Sequence, residues 1–394
     1  MMENIGARRD KDTLIIELKG HIDSANAGEV EKEINACKES EPCTNMIIDA
    51  KELKYISSAG LRVILRLKKE FPDLKVINAS SEVYEIFDIT GFAEMMTVEK
   101  AYREISVEGC EVIGQGANGK VYRIDPDTIV KVYLNPDSLP DIQRERELAR
   151  TALILGIPTA IPYDVVKVGE GYGSVFELLN AKSFAKLLAN NLDKLDEVVK
   201  MSVDLLKKIH STEVKPGIMP DMKAVALDWV EFLQPYLPED KYNKLHRLVD
   251  EVPQDFHMMH GDYHIKNVMM QNDEVLLIDM DTLCTGHPIF EFASIFNAYQ
   301  GYAELDHKNI ESFLGIPYEA GKEFWEKTLK LYFADRSDEE IKEIEKKAKL
   351  IGYTRIMRRS IRRGGLEDEN GKAVIENCKN HILELLDEVD SLVF

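Results

Sequence analysis

A short segment of the chain combines the residue types that phosphoryl transfer requires. Asp262, in a His-Gly-Asp triplet, can orient a hydroxyl group and accept its proton. Asn267, five residues later on the same loop, offers a neutral oxygen to a metal ion. Asp279 follows an apolar strand predicted over residues 275–278 and can hold Mg²⁺ against nucleotide phosphates. Such sites act by positioning and by neutralising charge, so this order of residues is a specific indication of phosphoryl transfer.

A glycine-rich pattern lies upstream of this segment. Gly114, Gly116 and Gly119 fit G-x-G-x-x-G-x-V, which ends at Val121. The pattern lies between two apolar stretches, so it predicts a hairpin turn whose backbone can cover phosphates. A dinucleotide-binding fold would need a helix after the third glycine, and the strand-like residues that follow argue against it.

One lysine in the next predicted strand calls for an acidic partner. Lys131 lies within an apolar run, where an ammonium group needs a negative charge beside it. In the following helix, predicted over residues 142–155, Glu145 lies on the apolar face and Glu147 points away from it. We therefore expect Glu145 to pair with Lys131. The alternative is that both glutamates belong to a solvated acidic helix.

The first hundred residues have a different pattern. Short apolar strands alternate with helical segments over residues 13–100, which predicts a small α/β domain whose last strand covers residues 95–98. Ser57 and Ser58 stand at the start of one helix, where either can serve as a cap. A phosphate at this point would meet free N–H groups and the positive end of the helix dipole. Capping and phosphate acceptance both stay open as interpretations.

Composition limits the remaining possibilities. The chain has 394 residues, which favours two or three domains, and no apolar run approaches the length of a membrane helix. Its first residues lack the apolar core of a signal peptide, and its five cysteines show no metal-ligand spacing. The net charge of −20 disfavours nucleic-acid binding. We expect a cytoplasmic protein with neither a membrane nor a nucleic-acid partner.

The C-terminal part is helical in pattern and highly charged. Residues 355–363 form a dense basic run that allows two interpretations. In the first, the arginines bind an anionic substrate or the sister domain. In the second, they are solvated on the surface of a helix. In the second interpretation Ile356 and Ile361 face inward.

Residues 13–100 resemble the STAS family, the fold of anti-sigma-factor antagonists and of sulfate-transporter tails. The resemblance rests on Gly20–Asp23, the strand ending at Asp49, and Tyr55–Arg62. In that family a serine or threonine at this helix start is phosphorylated to switch partner binding, which implies Ser58 ahead of Ser57. The chain departs from the family pattern Asp-Ser-Ser/Thr-Gly, because Ser57 replaces the aspartate and Ala59 the second hydroxyl residue.

Residues 111 to about 300 resemble the aminoglycoside phosphotransferase and choline kinase-like superfamily, a branch of the protein-kinase fold. The matching residues are the Gly114–Gly119 loop, Lys131, Glu145, Glu177, His260–Asp262, His264, Asn267 and Asp279. The resemblance implies that Asp262 is the catalytic base, that Asn267 and Asp279 hold Mg²⁺, and that Lys131 engages the α- and β-phosphates of ATP. It places the adenine-binding hinge at Glu177–Leu179.

Three positions differ from the usual pattern of that superfamily. His287 and Glu291 replace two aspartates, and we expect packing or helix-start roles for them rather than catalysis. Asp281 replaces the glycine of a protein kinase's Asp-Phe-Gly, which argues against switching through an activation loop.

The expected architecture is an α/β STAS domain at residues 1–105 and an α+β bilobal protein-kinase-like domain at residues 106–394, with lobes at about 106–180 and 181–394. The expected function is transfer of the γ-phosphoryl group of ATP, with Mg²⁺, to a hydroxyl of a small molecule. The STAS domain would supply regulation or a protein-partner surface. The alternatives are a signalling protein whose kinase lobe phosphorylates protein, including its own Ser58, and a nucleotide-sensing pseudokinase.

Overall fold

The computed structural model describes residues 4–40, 43–116 and 119–394. The chain divides into two compact units. The first runs to Ser106 and includes Val165–Glu170, and the second comprises Val107–Asp164 and Gly171–Phe394.

The first unit is an α/β domain. Its strands are Ile5–Asp10 (β1), Thr13–Ile22 (β2), Asn45–Ile56 (β3), Lys75–Ala79 (β4), Val98–Lys100 (β5) and Arg103–Glu104 (β6), and its helices are Ala27–Ser40 (α1), Ser58–Glu70 (α2), Ser81–Ile89 (α3) and Phe92–Met95 (α4). The main sheet has the order β1-β2-β3-β4-β5, with β1 antiparallel and the other pairs parallel. Ile16, Ile48 and Val76 of its central strands are fully buried in one core with Ile34 and Phe87 of the helices.

Three features of this unit differ from the sequence-based expectation. The strand expected over residues 95–98 was wrong at its start, because Met95 ends the short helix α4 and the strand begins at Val98. Short apolar runs do not distinguish a strand from a buried helical turn by periodicity. Strand β1 was not expected, since it is a mostly exposed edge strand with little apolar signal. Residues 166 and 167, expected in the second domain, pair in parallel with Arg103 and Glu104.

The second unit has the α+β composition of a kinase-like fold. Its strands are Glu111–Gln115 (β7), Gly119–Asp125 (β8), Thr128–Tyr133 (β9), Pro162–Val168 (β10, which the unit boundary divides), Gly171–Glu177 (β11), Lys182–Ser183 (β12), Met258–Met259 (β13), Val268–Gln271 (β14), Glu274–Leu277 (β15) and Cys284–Thr285 (β16). Its helices are Leu139–Ile154 (α5), Phe184–Asn190 (α6), Leu195–His210 (α7), Met222–Phe232 (α8), Glu239–Asp250 (α9), Ile289–Tyr299 (α10), Lys308–Leu314 (α11), Tyr318–Tyr332 (α12), Asp338–Arg362 (α13) and Glu369–Glu388 (α14).

The two parts of this unit differ in how they are built. Strands β7, β8, β9 and β11 form an antiparallel sheet in the order β11-β9-β8-β7, which holds Lys131 on its central strand β9. The helical part packs around α10, whose Phe292 and Phe296 are buried against Trp325 of α12. The long helix α13 begins with a capping box between Ser337 and Glu340. Across the described ranges, no helix combines the length and the apolar character that crossing a bilayer requires.

Candidate active site

A tight hairpin places two of the expected metal ligands side by side. Its turn residues, Asn272 and Asp273, both have positive φ, which a type I′ turn requires and which Asn and Asp tolerate. At the open end of the hairpin the N–H of Ile278 donates to the carbonyl of Asn267 at 2.9 Å. Asn267 and Asp279 therefore leave the hairpin at the same end. The amide Nδ2 of Asn267 donates to the carbonyl of Asp262 at 3.0 Å, so Oδ1 is the atom of this side chain that could bind a metal ion.

Lys131 joins two carboxylates from different elements. Its Nζ lies 2.9 Å from Glu145 Oε1 on helix α5 and 2.8 Å from Asp279 Oδ1. Asp279 occupies the left-handed region, with φ 65° and ψ 67°. A non-glycine residue there costs about 1–3 kcal/mol, and such conformations concentrate at functional sites. The arrangement brings residues 131, 145 and 279 into one cluster although they are distant in sequence.

The charges of this cluster are unevenly matched. Burial acts to lower the pKa of Lys131, but Glu145 and Asp279 outweigh it and raise that pKa above its usual value. Burial raises the pKa of Glu145 to about 7, helped by the negative charges of Asp281 and Asp279 and opposed by Lys131. Among the described residues, Glu145 Oε2 has no hydrogen-bond donor. Burial and the charge of Asp279 likewise raise the pKa of Asp281. The single positive charge of Lys131 is thus shared among the carboxylates of Glu145, Asp279 and Asp281.

Asp262 has a buried histidine as its neighbour. His264 Nε2 is 3.4 Å from Asp262 Oδ2, and the His264 side chain is almost fully buried. Burial acts to raise the pKa of Asp262, but the hydrogen bond with His264 and the charge of Arg355 hold it below its ordinary value. Asp262 is therefore ionised at neutral pH. It can accept a hydrogen bond from a hydroxyl group and orient it, which in a phosphoryl-transfer site matters more than basicity.

The conformation of the loop before Asp262 is fixed by its own histidine and glycine. His260 Nε2 lies 3.1 Å from the carbonyl of Ile278, and its Nδ1 accepts the N–H of Asp262 at 3.3 Å. Gly261 has φ 80°, and a Cβ on it would lie 2.5 Å from the carbonyl oxygen of Thr282. Only glycine fits this position. The His-Gly-Asp triplet is thus explained by backbone geometry in its first two residues.

Glu291 holds the loop before Asp262 through contacts that the sequence-based interpretation did not identify. As expected, it lies buried in the first turn of helix α10. Its carboxylate also accepts the backbone N–H groups of His260 and Gly261, at 2.5 and 3.0 Å. His210 Nε2 lies 3.7 Å from it. The available signal was a lone charge in the otherwise apolar run of α10, since a buried charge needs partners.

The glycine-rich turn lies at the end of strands β7 and β8. Gly114 pairs with Val121, and the N–H of Gly116 donates to the carbonyl of Gly119 at 3.0 Å. A Cβ on Gly119 would lie 2.4 Å from the carbonyl oxygen of Val132 on β9. The third glycine is therefore required by the neighbouring strand. Residues 117 and 118, at the tip of the expected phosphate loop, lie outside the described residues.

The expected hinge follows strand β11. Glu177 Oε2 accepts the N–H of Ile161 at 3.3 Å, so the Glu177 side chain is used within the fold. Leu178 still donates to the carbonyl of Asp127 at 2.8 Å, but within the described parts of the chain the backbone groups of Leu179 have no hydrogen-bond partner. The backbone of Leu179 therefore stays without a partner within the described residues, whereas the Glu177 side chain is already hydrogen-bonded.

The residues around Asp279 fit a hard divalent cation. Asn267 Oδ1 and the carboxylates of Asp279 and Asp281 are oxygen donors, which Mg²⁺ prefers. Burial raises the pKa of both Asp281 and Glu145, and the charge of Asp279 adds to the rise in each, so a cation placed among these carboxylates would be favoured. No group of three or more His, Cys, Asp or Glu residues suited to a metal occurs in the described ranges. This donor set matches Mg²⁺ that shares its coordination with phosphates rather than an all-protein metal cage.

The two serines of the first unit have different environments. Ser57 is the N-cap of helix α2, and its hydroxyl accepts the N–H groups of Ala59 and Gly60 at 3.2 and 3.5 Å. Ser58 is the first residue of that helix, and it is exposed. Capping therefore explains Ser57. The hydroxyl of Ser58 is left accessible.

Comparisons with known families assign both parts of the chain. Residues 109–324, more than half of its length, match the family described as "Phosphotransferase enzyme family", and residues 4–105 match the STAS domain. The Bordetella bronchiseptica protein BtrV, which carries the name of an anti-sigma factor antagonist, is 36% identical over 89 residues. That match covers 22% of this chain and 76% of BtrV.

Two solved structures are similar to part of the chain. A thermostable mutant of the aminoglycoside phosphotransferase APH(4)-Ia is 11% identical, with a TM-score of 0.48 over 71% of this chain and 94% of that one. A choline/ethanolamine kinase family protein from Mesorhizobium loti is 13% identical, with a TM-score of 0.47 over 71% of this chain and 88% of that one.

Proposed function

Because the chain belongs to the phosphotransferase enzyme family and carries an N-terminal STAS domain, we propose that it transfers the γ-phosphoryl group of ATP to a hydroxyl of a small molecule. The STAS domain supplies regulation or a surface for a protein partner. The observation that carries the proposal is the pairing of Lys131 with both Glu145 and Asp279. Its ammonium group is held beside the carboxylate that would face the phosphates, which is the arrangement phosphoryl transfer needs.

Each residue has a part in this chemistry. Lys131, kept charged and oriented by Glu145, binds the α- and β-phosphates beneath the Gly114–Gly119 turn. Asp262 accepts a hydrogen bond from the acceptor hydroxyl and aligns its oxygen with the γ-phosphorus. The adenine is bound by the backbone of Leu179.

Asn267 and Asp279 are the proposed Mg²⁺ ligands. Bound there, Mg²⁺ would neutralise the negative charge that develops on the phosphate oxygens. The Nδ2 group of Asn267 is already taken by the Asp262 carbonyl, so the metal ligand and the candidate base are held by one hydrogen bond. Their relative positions are thereby fixed before any substrate binds.

A screen of hydroxyl-bearing metabolites tests the proposal. The full chain is incubated with ATP and Mg²⁺, and ATP consumption is measured with each compound. We expect one chemical class of acceptor to raise consumption above the rate without acceptor, and chelation of Mg²⁺ to abolish the increase. Consumption that no hydroxyl compound changes would contradict the proposal.

A second candidate function is phosphorylation of Ser58 by the kinase-like unit of the same chain. The observation that favours it is that the Ser58 hydroxyl is exposed at the start of helix α2 while Ser57 provides the cap. Intact-mass analysis after incubation with ATP and Mg²⁺ tests it. A gain of one phosphate is expected in the wild type and not in Ser58→Ala. No gain, or the same gain in both proteins, would exclude this function.

We also propose a cytoplasmic location. Cys43, Cys110, Cys284 and Cys378 are free thiols. Free cysteines suit a reducing compartment, where ATP is also available.

A further inference from the structure

Three arginines of helix α13 lie over aromatic rings of neighbouring segments. The distances from the guanidinium carbon to the ring centroid are 5.4 Å for Arg355 over Trp229, 5.8 Å for Arg358 over Phe232, and 5.5 Å for Arg359 over Tyr302. Cation–π contacts of this kind are usually worth about 0.5–2 kcal/mol. Of the three arginines, Arg355 also contacts the loop that carries Asp262.

The contact is made to the backbone immediately before Asp262. Arg355 Nη1 donates to the carbonyl of Gly261 at 3.0 Å and to Ser294 Oγ at 2.9 Å. The hydroxyl of Ser294, on helix α10, donates to the same carbonyl at 3.0 Å. The carbonyl of Gly261 thus accepts two donors, while its N–H donates to Glu291. Because Gly261 has φ 80° and no side chain, these bonds restrict a residue that is otherwise free to rotate.

The charge of Arg355 is not used in an ion pair. Within the described ranges no carboxylate lies at salt-bridge distance from it, whereas Arg358, one turn away, pairs with Asp228 at 2.7 Å. Its partners, a carbonyl, a hydroxyl and an indole ring, are all neutral. The positive charge therefore remains available to Asp262, whose pKa it helps to lower.

We propose that Arg355 is a positioning residue for Asp262: it fixes the Gly261 carbonyl and so sets the direction of the Asp262 side chain. The inference rests on the proposed function, because it assigns Asp262 the role of orienting the acceptor. It gives the first arginine of the basic run a role that is neither a substrate clamp nor a solvated surface. It also links Trp229 of helix α8 to the catalytic loop through a single side chain.

Steady-state ATP turnover by Arg355→Met is the kinetic test, with Arg358→Met as the matched control. Both changes remove an arginine that lies over an aromatic ring of α8. Arg355→Met should lower kcat about 100-fold with little change in the KM for ATP, because small errors in alignment cost about that much. Added guanidinium should restore part of the kcat of Arg355→Ala. Arg358→Met should keep the wild-type kcat.

Hydrogen exchange provides a measurement that does not need an acceptor. In the absence of nucleotide, the amides of residues 260–265 should exchange faster in Arg355→Met than in the wild type, and at the wild-type rate in Arg358→Met. If Arg355→Met does not fold, Arg355→Lys gives the same comparison.

Each outcome decides a separate point. Unchanged exchange in the Arg355 variants, or equal changes in the Arg355 and Arg358 variants, would overturn the positioning role. A wild-type protein that turns over no ATP would remove the proposed function, while the exchange rates would still show whether Arg355 orders the loop.

Discussion

Lys131 determines the electrostatics of the candidate site. It is the ammonium group to which both Glu145 and Asp279 bond, and Asp281 adds a further negative charge nearby. Without bound nucleotide, this lysine and Asp279 neutralise each other. In the proposed complex with phosphates and Mg²⁺, each would have a new partner of opposite charge, so these ligands would replace the ion pair.

Replacement of Lys131 by methionine should weaken nucleotide binding. The change removes a charged hydrogen bond to phosphate, worth about 1.5–3 kcal/mol, so the Kd of Mg–ATP should rise tenfold or more. Titration calorimetry of the full chain measures the affinity. Lys244→Met, which removes a lysine paired with Asp390, is the control and should bind ATP as the wild type does. Equal affinities in all three proteins would show that Lys131 does not contact the nucleotide.

Glu145 should make stability depend on pH. Its pKa in the folded protein is raised to about 7 from an ordinary value of 4.5, so the folded state binds the proton more tightly than the unfolded state does. The contribution of Glu145 to the free energy of unfolding is fully present below about pH 4.5 and is lost as the pH rises through about 7. The total loss is roughly 3 kcal/mol. Relative to Glu145→Gln, the wild type should therefore lose stability across this window. Denaturant unfolding at a series of pH values measures the difference, and parallel curves would contradict the raised pKa.

At the scale of elements, local sequence signals and tertiary contacts contribute differently to the site. The facing argument from the pattern of helix α5 leads to Glu145, and the structure places its side chain on Lys131. The pattern of helix α10 marks Glu291 as a charge that needs partners, but it cannot identify them, because they are backbone N–H groups 30 and 31 residues away. The contact of Arg355 with Gly261 spans 94 residues and involves a carbonyl, which no side-chain spacing encodes. Sequence patterns thus indicate which residues face inward, whereas folding decides which backbone groups they meet.

The start of helix α2 gives a prediction at this scale. Ser57→Ala removes the hydroxyl that accepts the N–H groups of Ala59 and Gly60, so it should destabilise the first unit by about 1 kcal/mol. Ser58→Ala changes an exposed residue without a capping bond and should have little effect. Hydrogen exchange of the amides in α2 reports the difference. Equal effects of the two substitutions would contradict the assignment of Ser57 as the cap.

At the scale of the whole molecule, a STAS domain and a phosphotransferase unit occur in one chain. Both could be assigned from the sequence, because each carries motifs tied to backbone geometry, such as the glycine of the His-Gly-Asp triplet. The acceptor could not, since no motif of the sequence indicates which side chains would bind it. The same limit applies to a protein partner of the STAS domain, because no motif marks a binding surface for it.

Mg–ATP should stabilise the protein as a whole. A ligand at 100 times its Kd adds about 2.7 kcal/mol to the free energy of unfolding, provided that it binds only the folded state. The thermal midpoint should rise with Mg–ATP and fall back when EDTA is added. In Asp279→Asn, ATP should still raise the thermal midpoint in part, and the part of the rise that depends on Mg²⁺ should be lost. An EDTA-insensitive shift in the wild type would argue against a metal at Asn267 and Asp279.

The most direct test of phosphoryl transfer is the turnover of ATP by Asp262→Asn beside the wild type, with the acceptor class found in the screen. Asparagine keeps the size of the side chain but cannot accept the hydroxyl proton. The predicted result is measurable turnover in the wild type and a loss of about 10²–10⁴-fold in the variant, with ATP binding retained. Turnover at the same rate in both proteins, or no turnover in the wild type, would contradict the assignment of this site as a phosphotransferase centre.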